Sequence, residues 1–172
     1  SYIVRGSEKT ALIETCHEGF FEQYVQNIQE VCDPKEIDYI VMNHNEPDHS
    51  GAMAKLLELM PNAKLVSSIA GANYLRNITN RCDLDVHKVK DGEEIDLGGK
   101  TLTFISAPNL HWPDSMFTYV KEDNVLFTCD FLGCHYCEPY TFDYTVAYPK
   151  AYDAALKLYY GALFGPFASF VR

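Results

Sequence analysis

Four side chains that commonly bind metals lie within a stretch of six residues: His44, Glu46, Asp48 and His49. The stretch directly follows an apolar run at residues 39–42, which is typical of a buried strand. Crowding two imidazoles and two carboxylates at a strand end costs desolvation and like-charge repulsion, and a divalent cation offsets both. Residues two apart in an extended chain point to the same side, so the alternation of His44, Glu46 and Asp48 favours convergence on one point. The pattern therefore predicts a metal site.

The same stretch has a simpler interpretation as a polar loop that caps a helix. Ser50 or Asp48 would then be the N-cap of a helix over residues 51–60. Capping explains one polar side chain or two, but it leaves two histidines and a glutamate without a role. We therefore favour the metal site.

The motif resembles that of the metallo-β-lactamase superfamily, whose signature is His-x-His-x-Asp-His on the loop after a strand. The second position is Glu46 in this chain and not a histidine. Zinc hydrolases favour imidazole donors at this place, whereas a hard, anionic carboxylate favours iron. Within the superfamily, Glu46 followed by Pro-Asp-His-Ser-Gly resembles the flavodiiron proteins, which are oxygen and nitric oxide reductases with a non-haem diiron site.

Two downstream segments extend this resemblance. Residues 106–116 follow a strand-like run at 101–105 and resemble the segment in which the family carries its next histidine ligand, here His111. Residues 125–133 are typical of a buried strand that ends in an aspartate, and Asp130 resembles the family's bridging carboxylate. The separation of His111 and Asp130 suits a hairpin between residues 116–120 and 125–128.

The resemblance implies a role for each of these residues. One iron would be held by His44, Glu46 and His111, the second by Asp48 and His49, and Asp130 would bridge the two. The family supplies one further histidine to the second iron, well beyond the bridging aspartate. The only histidine after Asp130 in this chain is His135, which is too close in sequence to replace it.

Two more residues are expected near the site. We expect the loop Cys134-His135-Tyr136-Cys137 to line the pocket, with His135 among or near the residues just behind the ligands. Trp112, next to His111, would either shield the site or contact a flavin from a partner subunit. The aromatic clusters at residues 136–148 and 152–170 are interpreted as packing.

The resemblance also implies cofactors and partners. These are two non-haem irons, FMN on a flavodoxin-like domain, a rubredoxin-type electron donor, O₂ or NO as substrate, and a head-to-tail homodimer. The chain begins without Met and ends in an apolar stretch, so we expect residues 1–172 to be a metallo-β-lactamase-like domain that is incomplete at both ends, with the flavodoxin-like domain absent. Two alternatives stay open, a dinuclear zinc hydrolase of the same superfamily and a truncated domain without catalytic activity.

Composition excludes some classes of function. The net charge of −10 argues against binding to nucleic acid or to an anionic membrane surface. No apolar run reaches the length of a membrane-spanning helix, and there is no signal-peptide pattern at Ser1. The six cysteines lack the spacing of a secreted disulfide framework, which favours a cytoplasmic protein with reduced thiols.

Hydrophobic periodicity predicts a layered fold. The predicted elements are strands at 1–4 and 9–15, a helix at 20–31, a strand at 37–42, a helix at 51–60, a strand at 63–66, a helix at 69–78, strands at 86–89, 94–97, 101–105, 116–120 and 125–128, and a helix at 149–160. Alternating strands and helices followed by successive short strands suit part of an α+β sandwich of the αββα type, with two sheets covered outside by helices.

Overall fold

The first half of the chain forms a mostly parallel sheet. Its strands are β1 (Tyr2–Arg5), β2 (Thr10–Ile13), β3 (Tyr39–Met42), β4 (Lys64–Ser67) and β5 (Val86–Lys88), hydrogen-bonded in that order. Only β1 and β2 are antiparallel, and the other pairs are parallel. The computed structural model describes residues 1–140 and 142–171, so Thr141 and Arg172 of the predicted domain lie outside the described residues.

Helices connect the parallel strands. These are α1 (Phe21–Gln29), α2 (Pro47–Ser50), α3 (Met53–Leu59) and α4 (Ile69–Ile78). A parallel pair needs such a crossover because its strands run in the same direction. In the described part of the chain, no helix has the length and hydrophobicity that crossing a bilayer requires.

The second sheet is an antiparallel meander of four strands. They are β6 (Glu94–Asp96), β7 (Thr101–Ser106), β8 (Met116–Val120) and β9 (Val125–Phe127), paired in sequence order. After a long loop, α5 (Pro149–Tyr159) begins with proline in its first turn, where the missing N–H costs nothing. It continues through a π-helical turn (Tyr160–Phe164) and a 3-10 segment (Gly165–Phe170).

The two faces of the first sheet pack against different layers because successive strand residues point to opposite sides. Ile13, Val41 and Val66 face the second sheet and contact a cluster that includes Phe104 and Val120. The neighbouring strand residues point the other way and form the core under the helices. The strands contribute Leu12, Ile40, Met42 and Leu65, and the helices contribute Ile28, Met53, Leu56 and Leu75. Phe164 and Tyr159 pack on Phe117 at the far side of the second sheet. The fold is therefore an αββα sandwich, as predicted.

Two expectations need correction. The extended conformation that we expected from His44 to Asp48 ends at Glu46, because Pro47 begins the short helix α2. The aromatic cluster at 136–148 is mostly exposed, with Tyr144 80% and Tyr140 67% accessible, so the packing interpretation holds for Tyr136, whose ring is 5.6 Å from that of Tyr152, but not for these two. Phe142, Tyr144 and Tyr148 lie in the connection between β9 and α5, outside both sheets.

Candidate metal centre

All six residues predicted as ligands meet at one edge of the sandwich. His44 and Glu46 follow β3 directly, and α2 carries Asp48 and His49. His111 lies in the connection between β7 and β8, and Asp130 follows β9. Strands from both sheets end here, so residues that are far apart in sequence become neighbours.

Asn43 holds the two sheets together beside this cluster. The residue is completely buried at the end of β3. Its carbonyl oxygen accepts from the Met116 N–H at 2.9 Å, and its side-chain oxygen accepts from the Thr118 hydroxyl at 2.6 Å. Because buried polar groups are costly when unpaired, these bonds fix the position of His44 relative to β8.

The ligating atoms form two groups that share one residue. The first group contains His44, Glu46, His111 and Asp130, and the second contains Asp48, His49 and Asp130. Within each group, the candidate ligand atoms all lie within 4.8 Å of one another. The second group has one donor fewer than the first.

Asp130 turns one carboxylate oxygen towards each group. Its Oδ1 lies 2.9 Å from Nε2 of His49. Its Oδ2 lies 3.2 Å from Nε2 of His111 and 3.5 Å from Nε2 of His44. A carboxylate placed in this way can serve two cations at once.

These spacings suit donors that surround an ion. Donors about 2.1 Å from one cation and about 90–110° apart are separated by roughly 3.0–3.4 Å. Oε2 of Glu46 lies 3.3 Å from Nε2 of His44 and 3.4 Å from Nε2 of His111. His49 Nε2 and Asp48 Oδ2 are 3.5 Å apart. The residues present therefore fit a pair of cations with mixed imidazole and carboxylate ligation.

A helical turn separates the ligands of the two groups. Glu46 is the N-cap of α2, and Pro47 occupies its first turn. The Ser50 hydroxyl donates to the carbonyl oxygens of Asn45 and Glu46 at 2.9 and 3.1 Å, which closes the turn. Asp48 and His49 are thus displaced around the helix axis from Glu46. The sequence pattern identified the donors, but the turn distributes them between two groups.

Gly71 of α4 allows the helix to approach the metal-binding loop closely. A Cβ atom at this position would lie 2.2 Å from Oγ of Ser67 and 2.8 Å from Nδ2 of Asn45. The Ser67 hydroxyl is held by a hydrogen bond to the Met42 carbonyl oxygen, so it cannot move freely. Asn45 lies between His44 and Glu46 and would be displaced.

We therefore expect Gly71→Ala to lower the free energy of unfolding by about 1–3 kcal/mol, the usual cost of overpacking. Chemical denaturation monitored by circular dichroism would measure the change. Gly161→Ala is the matched control, since a Cβ atom there meets no heavy atom within 4 Å. Equal stability of the two variants would contradict this account of Gly71.

A buried aspartate that the sequence analysis did not select stands behind His44. Asp114 is fully buried, and its Oδ2 accepts from the backbone and side-chain N–H groups of Asn45 at 2.8 and 2.9 Å. Its Oδ1 lies 3.4 Å from Nδ1 of His44, and neither atom has another hydrogen-bond partner in the described chain. Asp114 lies three residues after His111, within the segment 106–116 described above. Its spacing from the ligands did not indicate a role at the site.

The protein groups alone favour the protonated forms of His44 and His49. Burial lowers the pKa of His49, but hydrogen bonds to Asp130 and Glu14 outweigh it and raise the pKa to about 10. Burial opposes the charged ring of His44 as well, yet Asp114 and Asp130 raise its pKa. A protonated imidazole cannot bind a metal, so a cation that binds here displaces these protons. The excess of carboxylates favours positive charge here, either as protons on the imidazoles or as a bound metal cation.

Aromatic side chains surround the cluster. The indole of Trp112 stands edge-on to His44, with ring centres 5.2 Å apart, and the buried Phe164 ring is 5.8 Å from that of His111. Tyr159 of α5 packs against Phe164, with ring centres 6.2 Å apart, and burial and the carboxylates of Asp130, Asp48 and Glu46 raise its pKa above its usual range. Sequence analysis attributed only packing to it.

His135 lies further out than the ligands. Its side chain is exposed, and its ring contacts that of Tyr159, with centres 4.9 Å apart. It belongs to neither donor group. His135 contacts Tyr159, and Tyr159 is near Asp130, so the expected position of His135 behind the ligands is consistent with the structure. The flanking Cys134 and Cys137 are free thiols, like the other four cysteines.

The fold and the paired donor groups are those of a metallo-β-lactamase-like domain. A family model described as "ODP family beta lactamase" matches residues 1–157, and the chain belongs to this family. The resemblance to the metallo-β-lactamase-like domain of flavodiiron proteins is confirmed by the proteins described next.

The most informative relatives are much longer than this chain. It is 52% identical over 172 residues to the flavo-diiron protein FprA2 of Clostridium acetobutylicum, covering 99% of this chain and 43% of that protein. It is 41% identical to the anaerobic nitric oxide reductase flavorubredoxin of Vibrio vulnificus, covering 99% of this chain and 34% of the relative. The chain thus spans less than half of these relatives.

Solved structures support the same assignment. The rubredoxin oxygen:oxidoreductase of Desulfovibrio gigas superimposes with a TM-score of 0.93 at 32% identity, over 98% of this chain and 42% of that one. The flavodiiron protein from Giardia intestinalis gives a TM-score of 0.92 at 29% identity, with 98% and 41% covered. The αββα arrangement described above is therefore shared with flavodiiron proteins.

Proposed function

We propose that this chain provides the diiron site of an oxidoreductase that reduces O₂ to water, NO to N₂O, or both, with electrons from FMN. One observation carries the proposal: Asp130 directs each carboxylate oxygen to a different group of donors. The named activities of the similar proteins support it, since one is a nitric oxide reductase and another an oxygen oxidoreductase. The preference between the two substrates is not inferred from these residues.

The donor groups suggest how the irons would be held. His44, Glu46 and His111 would bind one iron, Asp48 and His49 the other, and Asp130 both. Iron held there would supply open coordination positions and electrons for the diatomic substrate, and FMN on a flavodoxin-like domain would be the source of those electrons. A further histidine on the second iron is part of this proposal and would come from outside these 172 residues.

The side chains around the ligands would exclude water and hold the ligands in place. His44 is completely buried, and Phe164 and Trp112 cover the imidazoles of the first group. A small neutral substrate needs no charged residue to attract it. Tyr159 is beside Asp130, and since burial and the nearby carboxylates raise its pKa further above neutral pH, its hydroxyl is available as a hydrogen-bond donor.

The remaining partners are part of the same proposal. These are a rubredoxin-type donor, a head-to-tail homodimer in which Trp112 contacts the flavin of the other subunit, and a cytoplasmic location. The half-buried indole is compatible with such a contact, since one edge faces His44 while part of the ring is accessible. The acidic net charge would favour a donor with a positively charged surface.

Metal analysis and turnover test the proposal together. Protein purified without added metal is expected to contain iron in preference to zinc, with about two ions per chain. Supplied with a reduced FMN-containing flavodoxin-type protein, it should consume O₂ or convert NO to N₂O, and without a flavin partner it should not sustain turnover. About two zinc ions and no iron per chain would instead favour a zinc hydrolase, while no bound metal would favour a non-catalytic domain.

Glu46 determines the choice of metal in this scheme. We expect Glu46→His to raise the ratio of zinc to iron in the purified protein roughly tenfold, because an imidazole replaces the hard anionic donor. Elemental analysis of protein from the same growth medium would measure the ratio. Glu58→His, an exposed substitution on α3, is the matched control. An unchanged ratio in Glu46→His would show that this position does not select iron.

A further inference from the structure

Glu14 is a buried acid that none of the roles above uses. It follows β2 directly and is only 7% exposed. Its backbone is in the left-handed region, with φ of 64°, which a glutamate rarely adopts. Such a conformation persists where the surroundings fix it, and it often occurs at functional sites.

Both carboxylate oxygens of Glu14 face donors at the metal centre. Oε1 accepts the backbone N–H of Asn43 at 2.6 Å. Oε2 lies 3.0 Å from Nδ1 of His49. The other ring nitrogen of His49, Nε2, lies 2.9 Å from Asp130 and faces the second group of donors. The imidazole is therefore held between two carboxylates, one on each side.

The backbone around Glu14 fixes the same histidine. The N–H and the hydroxyl of Thr15 both donate to the carbonyl oxygen of His49. Glu14 itself donates its N–H to Val41 at 2.9 Å and accepts the Tyr24 hydroxyl on its carbonyl at 2.8 Å. The loop after β2 thus holds both the main chain and the ring of His49.

We propose that Glu14 is the positioning residue for His49. By accepting the proton on Nδ1, it leaves Nε2 unprotonated and directed at the second metal. Ligating histidines usually donate their other N–H to an acceptor of this kind, and the donation fixes the tautomer. The inference rests on the two-metal site proposed above, but not on the identity of the metal.

A carboxylate is required at this position because two donors face it. A glutamine can accept from only one of them with its single side-chain oxygen. If its amide group faces His49, it donates to Nδ1, and Nε2 must then carry the proton and cannot bind a metal. If its amide group faces Asn43, two N–H donors oppose each other.

Asp114 offers an internal comparison because it faces the other group. Its contacts are to Asn45 and to Nδ1 of His44, and none of them reaches His49. Glu14→Gln and Asp114→Asn are both changes of one carboxylate to an amide. Glu14→Gln should weaken binding of the metal held by Asp48 and His49. Asp114→Asn should weaken binding of the metal held by His44, Glu46 and His111.

The test is a titration of the metal-free protein with Zn²⁺ against a competing chelator, with circular dichroism as the check of folding. In Glu14→Gln we expect the affinity of the second Zn²⁺ to fall by about 10–100-fold while the first is retained. In Asp114→Asn we expect the affinity of the site that contains His44 to fall, while the site that contains His49 keeps its affinity. Equal affinities for both ions in Glu14→Gln and the unsubstituted protein would overturn the proposal.

The tautomer of His49 gives a readout that does not depend on the variants folding. Long-range ¹H–¹⁵N spectra of the Zn²⁺-loaded protein should show Nδ1 protonated and Nε2 bound to metal. A metal on Nδ1, or a single bound Zn²⁺ with His49 free, would overturn the proposal. Zinc binding in this pattern by protein that binds no iron would preserve the role of Glu14 and refute the proposed diiron function.

Discussion

Asp130→Asn is expected to abolish binding of both metals, because it removes the one carboxylate that both donor groups share. The side chain is only 13% exposed, so little water can take its place between the two groups. An asparagine keeps the size of the residue, but it has one oxygen in place of two and no charge. Each cation would lose an anionic donor. The negative charge that reduces the repulsion between the two cations would be lost as well.

Elemental analysis and calorimetric titration with Fe²⁺ under anaerobic conditions would measure the effect. We expect the metal content to fall from about two ions per chain to almost none. Asp48→Asn is the matched control, since Asp48 belongs to the second group only and its side chain is 62% exposed. That variant should keep the first ion. If Asp130→Asn loses one ion only, Asp130 does not bridge.

The ligands were predictable from sequence, with His111 and Asp130 supplied by the family resemblance, whereas the side chains that hold the ligands in place were not. His44, Glu46, Asp48 and His49 stand close together, so their density alone indicates a metal. Glu14 is one of many acids in an acidic chain, and it is 35 residues from the histidine that it contacts. Its distinguishing property is a backbone conformation that no neighbouring sequence encodes. Positioning residues of this kind become visible only when the fold is known.

The layers of the fold were predictable because the strands alternate with a period of two. In β3, Ile40 faces the helices and Val41 faces the second sheet, and both are fully buried. The predicted strands and long helices are all present, with ends that differ by a few residues. The turn at α2 was not predicted, because an extended chain was expected through Asp48 and Pro47 instead begins a helix. The burial of Phe164 beside His111 depends on tertiary contacts that periodicity does not reveal.

Phe104 connects the stability of the sandwich to the geometry of the metal centre. This β7 residue is 1% exposed and packs between the sheets with Ile13, Val41 and Val66. The first sheet presents His44 and Glu46, and the second presents His111 and Asp130. The distance between the two halves of the first donor group therefore depends on how the sheets pack.

Phe104→Ala is expected to lower the free energy of unfolding by about 3–5 kcal/mol, the usual cost of a phenylalanine-sized cavity. Since domains of this size are stable by about 5–15 kcal/mol, the loss is a large fraction of the total. Urea denaturation would measure it, with Ile105→Ala as the control, because Ile105 is 38% exposed on the opposite face. Affinity for the first metal should fall in Phe104→Ala under conditions where the protein is still folded. A stability loss with unchanged metal affinity would show that the ligand loops are positioned independently of sheet packing, for example by Asn43 alone.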